Sequence, residues 1–306
     1  MNNNMVCDIE KGICGIDDGG EMELIDFNTP KEKIELYYVT DPICSHCWAL
    51  EPVIGRFKEV YGDYLNFHTF MGGLLEDWNG FSDASNGINS PSDVAGHWRE
   101  VGEHSRMPID GSLWFNNPVK SSFIPSRVFK VIQQIDENLA LVFLRKAREA
   151  IFAFDKNIAE DEVLIEIINT LGLDGEKIVN ESMLPKSQQL LEEDFAFAAQ
   201  LGVRGFPTII MVNKENKGVK IVGARSLDYY LSGLKQVLND DKEVKPTLEP
   251  KLSELLERNN LLFSRELEEM YGLNPTEVKR FIEENLSTSD YEVKEILGET
   301  YIEKRI

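Results

Sequence analysis

From Lys33 onward the chain switches between two hydrophobic periods. Ile34-Glu35-Leu36-Tyr37-Tyr38-Val39-Thr40 is aromatic and β-branched, follows charged residues and ends at Asp41-Pro42, which predicts a strand. After Cys47 the period becomes helical, with apolar residues at Val53, Ile54, Phe57 and Val60, and Pro52 bends or interrupts the first turn. Tyr64 to Met71 alternates again and is closed by Gly72-Gly73, so it predicts a second strand. A strand, a helix and a strand in that order make a βαβ unit with parallel pairing. Residues 91–201 then carry almost no strand signal, and helical spacing marks Ser126–Gln134, Leu139–Phe154, Asp161–Leu171 and Gln188–Leu201. Gly172, Pro185 and Gly202 punctuate this block. Thr208–Val212 and Val219–Val222 are short β runs joined by a hairpin turn, and Ser226 is placed to cap a helix through Leu238.

The flanks read differently. Residues 1–30 are polar and Gly-rich with no sustained period, and predict a mobile arm. Residues 239–250, with Pro246 and Pro250, read as a linker, and 251–306 as an acidic extension of short helices at Leu252–Glu257, Leu261–Tyr271 and Pro275–Asn285.

Charge narrows the function classes. The 306 residues carry 53 acidic against 32 basic side chains, a formal net of −21. Such a surface disfavours phosphate backbones and anionic lipid, so the expected partners are proteins or small thiols, with no nucleic acid and no membrane. The outline of a helix-turn-helix at Leu267–Leu286 does not change this, because 251–306 holds 8 basic and 13 acidic residues. No run approaches ~18 apolar residues, and Met1-Asn2-Asn3-Asn4 opens without a basic or apolar leader pattern. The expected location is therefore the cytoplasm, where permanent structural disulfides are disfavoured.

That expectation bears on four cysteines, Cys7 with Cys14 and Cys44 with Cys47. A Cys-x-x-Cys pair fits either zinc or redox chemistry until its context is known. Zinc would need further ligands, which Cys7 and Cys14 would have to supply from the Gly-rich arm. Cys44-Ser45-His46-Cys47 instead lies between a strand and a helix start, where backbone N–H groups favour a thiolate. On that reading Cys44 attacks, Cys47 resolves the mixed disulfide, and His46 tunes the thiolate.

A second run favours redox chemistry. Gly202-Val203-Arg204-Gly205-Phe206-Pro207-Thr208 precedes an apolar strand and resembles the loop of thioredoxins in which the proline is cis and packs against the cysteine pair. The resemblance implies that Phe206, Pro207 and Thr208, with Ser45, shape the substrate groove. Cys47 and Pro207 are 160 positions apart, and a helical insertion filling such a gap resembles the DsbA superfamily. The Cys44–Cys47 tetrapeptide is similar to the Cys-Pro-His-Cys site of that superfamily, with Ser45 in place of proline. Asp41 to Pro52, Met107 to Phe115 and Asn157 to Asp161 are also similar to FrnE-like dithiol-disulfide isomerases and to the SpxH (YjbH) adaptors, which present the regulator Spx to the protease ClpXP.

The resulting expectation is an α/β chain. Residues 31–238 form a DsbA-like thioredoxin domain with a helical insertion at about 75–201, followed by the small helical extension. The resemblance implies a thiol–disulfide oxidoreductase or isomerase that acts on protein or low-molecular-weight thiols, needs no cofactor beyond its redox-active disulfide, and holds no metal. The alternative is a noncatalytic adaptor for a client such as Spx, with the cysteine pair as a redox sensor. Cys7 and Cys14 are candidates for a second redox pair. Trp48 is expected to pack beneath the site, His97 to serve packing, and His68 and His104 to ligate nothing. Asp41 and Glu51 are candidate modulators of the Cys47 proton, with solvated or capping roles as the alternative.

Overall fold

A computed structural model of the chain describes residues 33–83, 86–238 and 244–305, together with the backbone of 7–8 and 13–14. The first unit contributes strands β1 (Cys7–Asp8) and β2 (Ile13–Cys14), antiparallel, with Cys7 opposite Cys14. The rest of the expected arm, and both cysteine side chains, lie outside the described residues.

The second unit begins with β3 (Ile34–Thr40), the central strand of a four-stranded sheet. It runs parallel to β4 (Leu65–Met71) on one side and antiparallel to β5 (Thr208–Val212) on the other, and β6 (Gly218–Val222) closes the order β4-β3-β5-β6. Both faces of this central strand are covered, which is why it shows little polar alternation. On one face Ile34, Leu36 and Tyr38 pack with Phe57 and with Tyr230 and Leu234. On the other, Tyr37 meets Phe197, which stacks on Phe70 at 4.4 Å.

Asp41-Pro42 turns the chain out of β3 into α1 (Ser45–Ala49), and Leu50 links it to α2 (Glu51–Tyr61). Pro52, lacking an N–H, sits in the first turn of α2, where no donor is needed. The N–H of Ile54 still reaches the carbonyl of Leu50 at 3.0 Å, so the two segments follow one another nearly as one broken helix.

The insertion comprises α3 (Pro91–Ser105), α4 (Leu113–Asn116), α5 (Phe123–Ile135), α6 (Glu137–Arg148), α7 (Asp161–Thr170), α8 (Gly175–Ser182) and α9 (Pro185–Gln200), with a π turn at Glu149–Ala153. The spacing reading placed α5, α6, α7 and α9. It assigned no bounds to α3 and passed over α4 and α8. Asp194 of α9 ties the insertion to the sheet: its Oδ2 accepts from the N–H of Met71 at the end of β4, while its Oδ1 lies 2.7 Å from Lys130 Nζ of α5. All three groups are buried, so removing either charged partner would strand the other in the core.

After the sheet, α10 (Leu227–Leu238) covers the α2 face. Residues 244–250 do not hang free as a spacer, since Val244 is buried and the N–H of Thr247 donates to the carbonyl of Val60 at 2.8 Å. The C-terminal segment contains the expected helices, α11 (Leu252–Asn259), α12 (Ser264–Tyr271) and α13 (Val278–Asn285). It also holds three strands that helical spacing did not suggest, β7 (Leu261–Phe263), β8 (Tyr291–Ile296) and β9 (Glu299–Lys304), in the order β7-β9-β8. Leu261–Phe263 is thus a strand and not the first turn of the following helix. This subdomain has its own core around Leu256, Leu267, Ile282 and Ile302.

Candidate functional site

Local geometry builds the site from the end of β3. Asp41 is wholly buried. Its Oδ1 accepts from the N–H of Ile43 at 3.0 Å, and its Oδ2 accepts from the N–H of Leu74 and the hydroxyl of Ser122, both at 2.8 Å. These bonds fix the turn that delivers Cys44 to the N-cap of α1. There the sulfur of Cys44 accepts from the N–H of Cys47 at 3.1 Å, and the two cysteines are joined by a disulfide with Cα atoms 5.2 Å apart. Cys44 keeps 5% of its surface and Cys47 none.

The peptide bond between Phe206 and Pro207 is cis, as the thioredoxin resemblance implied. Phe206 is half-buried, and its ring lies so close over Gly72 that a Cβ there would come within 2.0 Å of it. Gly72 is therefore needed at the end of β4 for the loop to reach the cysteines. Thr208, expected in the groove, is buried and closes the loop from inside, its hydroxyl donating to the Gly205 carbonyl at 2.8 Å. Pro207 is buried as well, so the exposed part of this loop is Arg204, Gly205 and Phe206.

Cys44, Ser45, His46 and Phe206 open onto a groove of about 420 Å³. Its remaining wall comes from the insertion and is mostly aromatic, with Trp78, Phe81, Trp98 and Trp114 meeting edge to face. His97 also lines it, with its ring centroid 5.4 Å from that of His46. The sequence reading gave His97 to packing. Helical spacing from Val94 and Trp98 does put residue 97 beside the buried stripe, but no local signal told which element it would face.

Burial and the charges of His97 and His104 hold the His46 pKa below the ordinary imidazole value. Burial pushes the carboxyl of Asp41 up to about 6, against the opposing effect of its hydrogen bonds and of Arg148. Arg148 is fully buried and reaches the carboxylate of Glu51, the hydroxyl of Thr40 and, at 3.2 Å, the carbonyl of Asp41. Asp41 and Glu51 are thus both engaged in holding the strand end and helix start. Trp48 is fully buried, donates its indole N–H to the Pro108 carbonyl at 3.0 Å and stacks on Phe152. His68 pairs with Glu35, 2.6 Å away on the sheet.

Asp41 yields a pH prediction. An acid that holds its proton more tightly in the fold than in the unfolded chain adds stability at low pH and loses it as the pH climbs through its folded value. Between the ordinary 3.8 and about 6 that amounts to roughly 3 kcal/mol. Urea unfolding at pH 4 and pH 7 should therefore show the stability of wild type relative to Asp41→Asn falling by that order as the pH rises. A difference that stays constant would contradict the assignment.

Among the described residues, no group of three or more His, Cys, Asp or Glu side chains is arranged to hold a metal ion. No helix among them is long and apolar enough to cross a membrane.

The family described as thioredoxin matches residues 37–232. The chain is 29% identical over 283 residues to the ClpXP adapter protein SpxH of Halalkalibacterium halodurans, covering 91% of this chain and 90% of that protein. It is 30% identical over 255 residues to SpxH of Bacillus subtilis, covering 82% of each. Among solved structures, the cytosolic disulfide reductase DsbM of Pseudomonas aeruginosa aligns with a TM-score of 0.54 at 18% identity, over 67% of this chain and 98% of that one. A likeness at that identity speaks for the fold alone.

Proposed function

The chain belongs to the thioredoxin family, in the DsbA-like group that contains the SpxH adaptors, and on that premise we propose that it performs thiol–disulfide exchange on client proteins through Cys44 and Cys47. The observation that carries the chemistry is the Cys44–Cys47 disulfide, lying with the Phe206–Pro207 cis loop at the mouth of an aromatic groove. In the reduced form the thiolate of Cys44 attacks a client disulfide, its sulfur bonds one client sulfur, and the other leaves as a thiol. Cys47 then attacks Cys44, which forms the internal disulfide and releases the second client thiol, so that two electrons pass to the client. The groove's apolar lining suits an extended peptide more than a small polar thiol. His46 favours the thiolate, Phe206 and Ser45 contact the client, and Pro207 with Thr208 hold the loop in shape. Cys7 and Cys14, opposed on β1 and β2, are proposed as a second pair that exchanges electrons with the first. No organic cofactor or metal enters this chemistry.

A second reading is supported by the length of the match to the SpxH proteins. It covers 91% of this chain, so it extends past the thioredoxin segment into the C-terminal region. On this reading the physiological role is that of an adaptor which presents a client such as Spx to ClpXP in the cytoplasm, and the disulfide governs client capture. The two readings are compatible, and one experiment ranks them. Purified ClpXP would be given Spx with and without the chain, in its oxidised form, its reduced form and as Cys44→Ser/Cys47→Ser. The adaptor reading expects degradation to accelerate at least tenfold in some form. Acceleration that is the same in all three forms would separate the exchange chemistry from delivery, and no acceleration in any form would remove the adaptor role.

A further inference from the structure

Beyond the cysteine pair, the site holds an imidazole that the family's Cys-x-His-Cys pattern does not contain. His97 stands on α3, in the middle of a helix whose buried stripe of Val94, Ala95, Trp98 and Val101 anchors it to the insertion core. That anchoring fixes the Cα of His97 and directs its ring, half-buried, into the groove beside Cys44 and His46. The two imidazoles meet at 66° with centroids 5.4 Å apart. His46 stands on a five-residue helix with part of its surface open and its ring partly desolvated at the groove, where the ring of His97 is its described aromatic neighbour.

We propose that His97 is a positioning residue of the redox site: it holds the His46 ring against the groove and keeps a second imidazole beside it. The proposal rests on the reading of Cys44 as the attacking thiol. In the reduced protein the relevant step is transfer of the Cys44 proton to His46, which leaves a thiolate beside an imidazolium. A second imidazolium at His97 would stand one ring-width from the first. At that distance two like charges disfavour each other, and with the desolvation of the groove this works against the charged form of His46. His46 therefore loses its proton more readily than an ordinary imidazole, and with it goes part of the stabilisation of the thiolate. The other charged groups that line this groove are Asp83, from the segment after β4, and Arg204, from the loop before Pro207, while Arg99, Glu100, Glu103 and His104 follow His97 along α3. Asp83 and Arg204 oppose each other in sign, and His104 acts in the same direction as His97.

The test uses two variants of the full chain. His97→Phe keeps a ring against His46 and removes the charge, whereas His97→Ala removes both. NMR titration of the His46 ring in the disulfide form should show the His97→Phe midpoint raised by about half a pH unit over wild type. In equilibrium with glutathione at pH 7, the same variant should shift about threefold toward the dithiol, because His46 keeps its proton and the thiolate keeps its partner. His97→Ala should share the raised midpoint and show an averaged, mobile His46 ring. Should the midpoint stay at its wild-type value in both variants while His97→Ala alone lowers the melting temperature, His97 serves packing only and the proposal is overturned. The NMR arm is independent of exchange, so a midpoint that moves in a protein inert to glutathione would support the His97 assignment and sink the exchange reading.

Discussion

Cys47→Ser is expected to convert the site from one that turns over into one that traps. With Cys44 as the N-cap of α1 and open to the groove, the first displacement needs only its thiolate. The second displacement needs a thiol within bonding reach on the buried side, and Cys47, wholly buried with its Cα 5.2 Å from that of Cys44, is placed for it. A serine hydroxyl at position 47 is too weakly acidic to displace a sulfur at neutral pH, so the mixed disulfide between Cys44 and the client persists. Turnover should fall at least a hundredfold. Non-reducing electrophoresis of the variant, incubated with a disulfide-bearing client protein, should show a covalent adduct that dithiothreitol dissolves. The adduct should be absent from Cys44→Ser/Cys47→Ser. Equal adduct in that double variant would move the chemistry to Cys7 or Cys14.

Trp48→Ala should cost about 3–5 kcal/mol of stability, with a second consequence in the C-terminal subdomain. The indole, next in sequence to Cys47, is wholly buried and stacks on Phe152 at 5.8 Å. The guanidinium of Arg145 lies over its ring at 5.0 Å, and Phe263 of β7 meets it edge-on at 5.6 Å. Arg145 in turn binds the carboxylate of Glu266, and that carboxylate accepts from the N–H of Phe263 at 3.0 Å. One side chain adjoining Cys47 thus connects the redox helix, the insertion and the extension. Arg106 makes the other clamp, reaching Glu268 and Glu299 at 2.8 and 2.9 Å. Losing Trp48 leaves a cavity on one side of Phe263 and deprives Arg145 of its aromatic face. Chemical unfolding should report the overall loss, and hydrogen exchange should show α12 and β7 opening more readily than α13. A loss under 1 kcal/mol with unchanged exchange would mean that the subdomain is held by its ion pairs alone.

Much of this was legible before any coordinates. The β3–α1–α2–β4 unit was readable because a run of β-branched and aromatic residues, a proline pair and two glycines mark its boundaries unambiguously. The cis loop was readable only through the resemblance of Gly202–Thr208 to the thioredoxin loop, since proline at the start of an apolar strand shows that no ladder donor is required but not which isomer it adopts. The insertion's long helices followed from spacing, but α3 was given no bounds even though its start carries a signal. Ser90 and Asp93 form a capping box, with Asp93 accepting from the N–H of Ser90 at 2.9 Å and Pro91 at the first helical position.

The strands of the extension were missed for a different reason. Tyr291–Ile296 alternates only over its first four residues and Glu299–Lys304 not at all, with Tyr301 and Ile302 adjacent and both buried, and their Glu and Lys also suit helices, so only pairing across a Leu297-Gly298 turn decides between the two. Leu261–Phe263 is too short to show any period, and it is a strand because β9 lies beside it. His97 exposes the limit most clearly. Its place on a helix was foreseeable, yet its partner is 51 positions away in sequence and is set by how the insertion folds back over the cysteines.

The most direct test of the central claim is the rate at which the reduced protein turns over a mixed-disulfide substrate, measured for wild type and for Cys44→Ser at equal concentration. The account predicts measurable turnover in wild type and none above background in the variant. Absence of turnover in wild type, with Cys44 and Cys47 shown to be reduced and free, would contradict it and leave this DsbA-like fold as a binding scaffold alone.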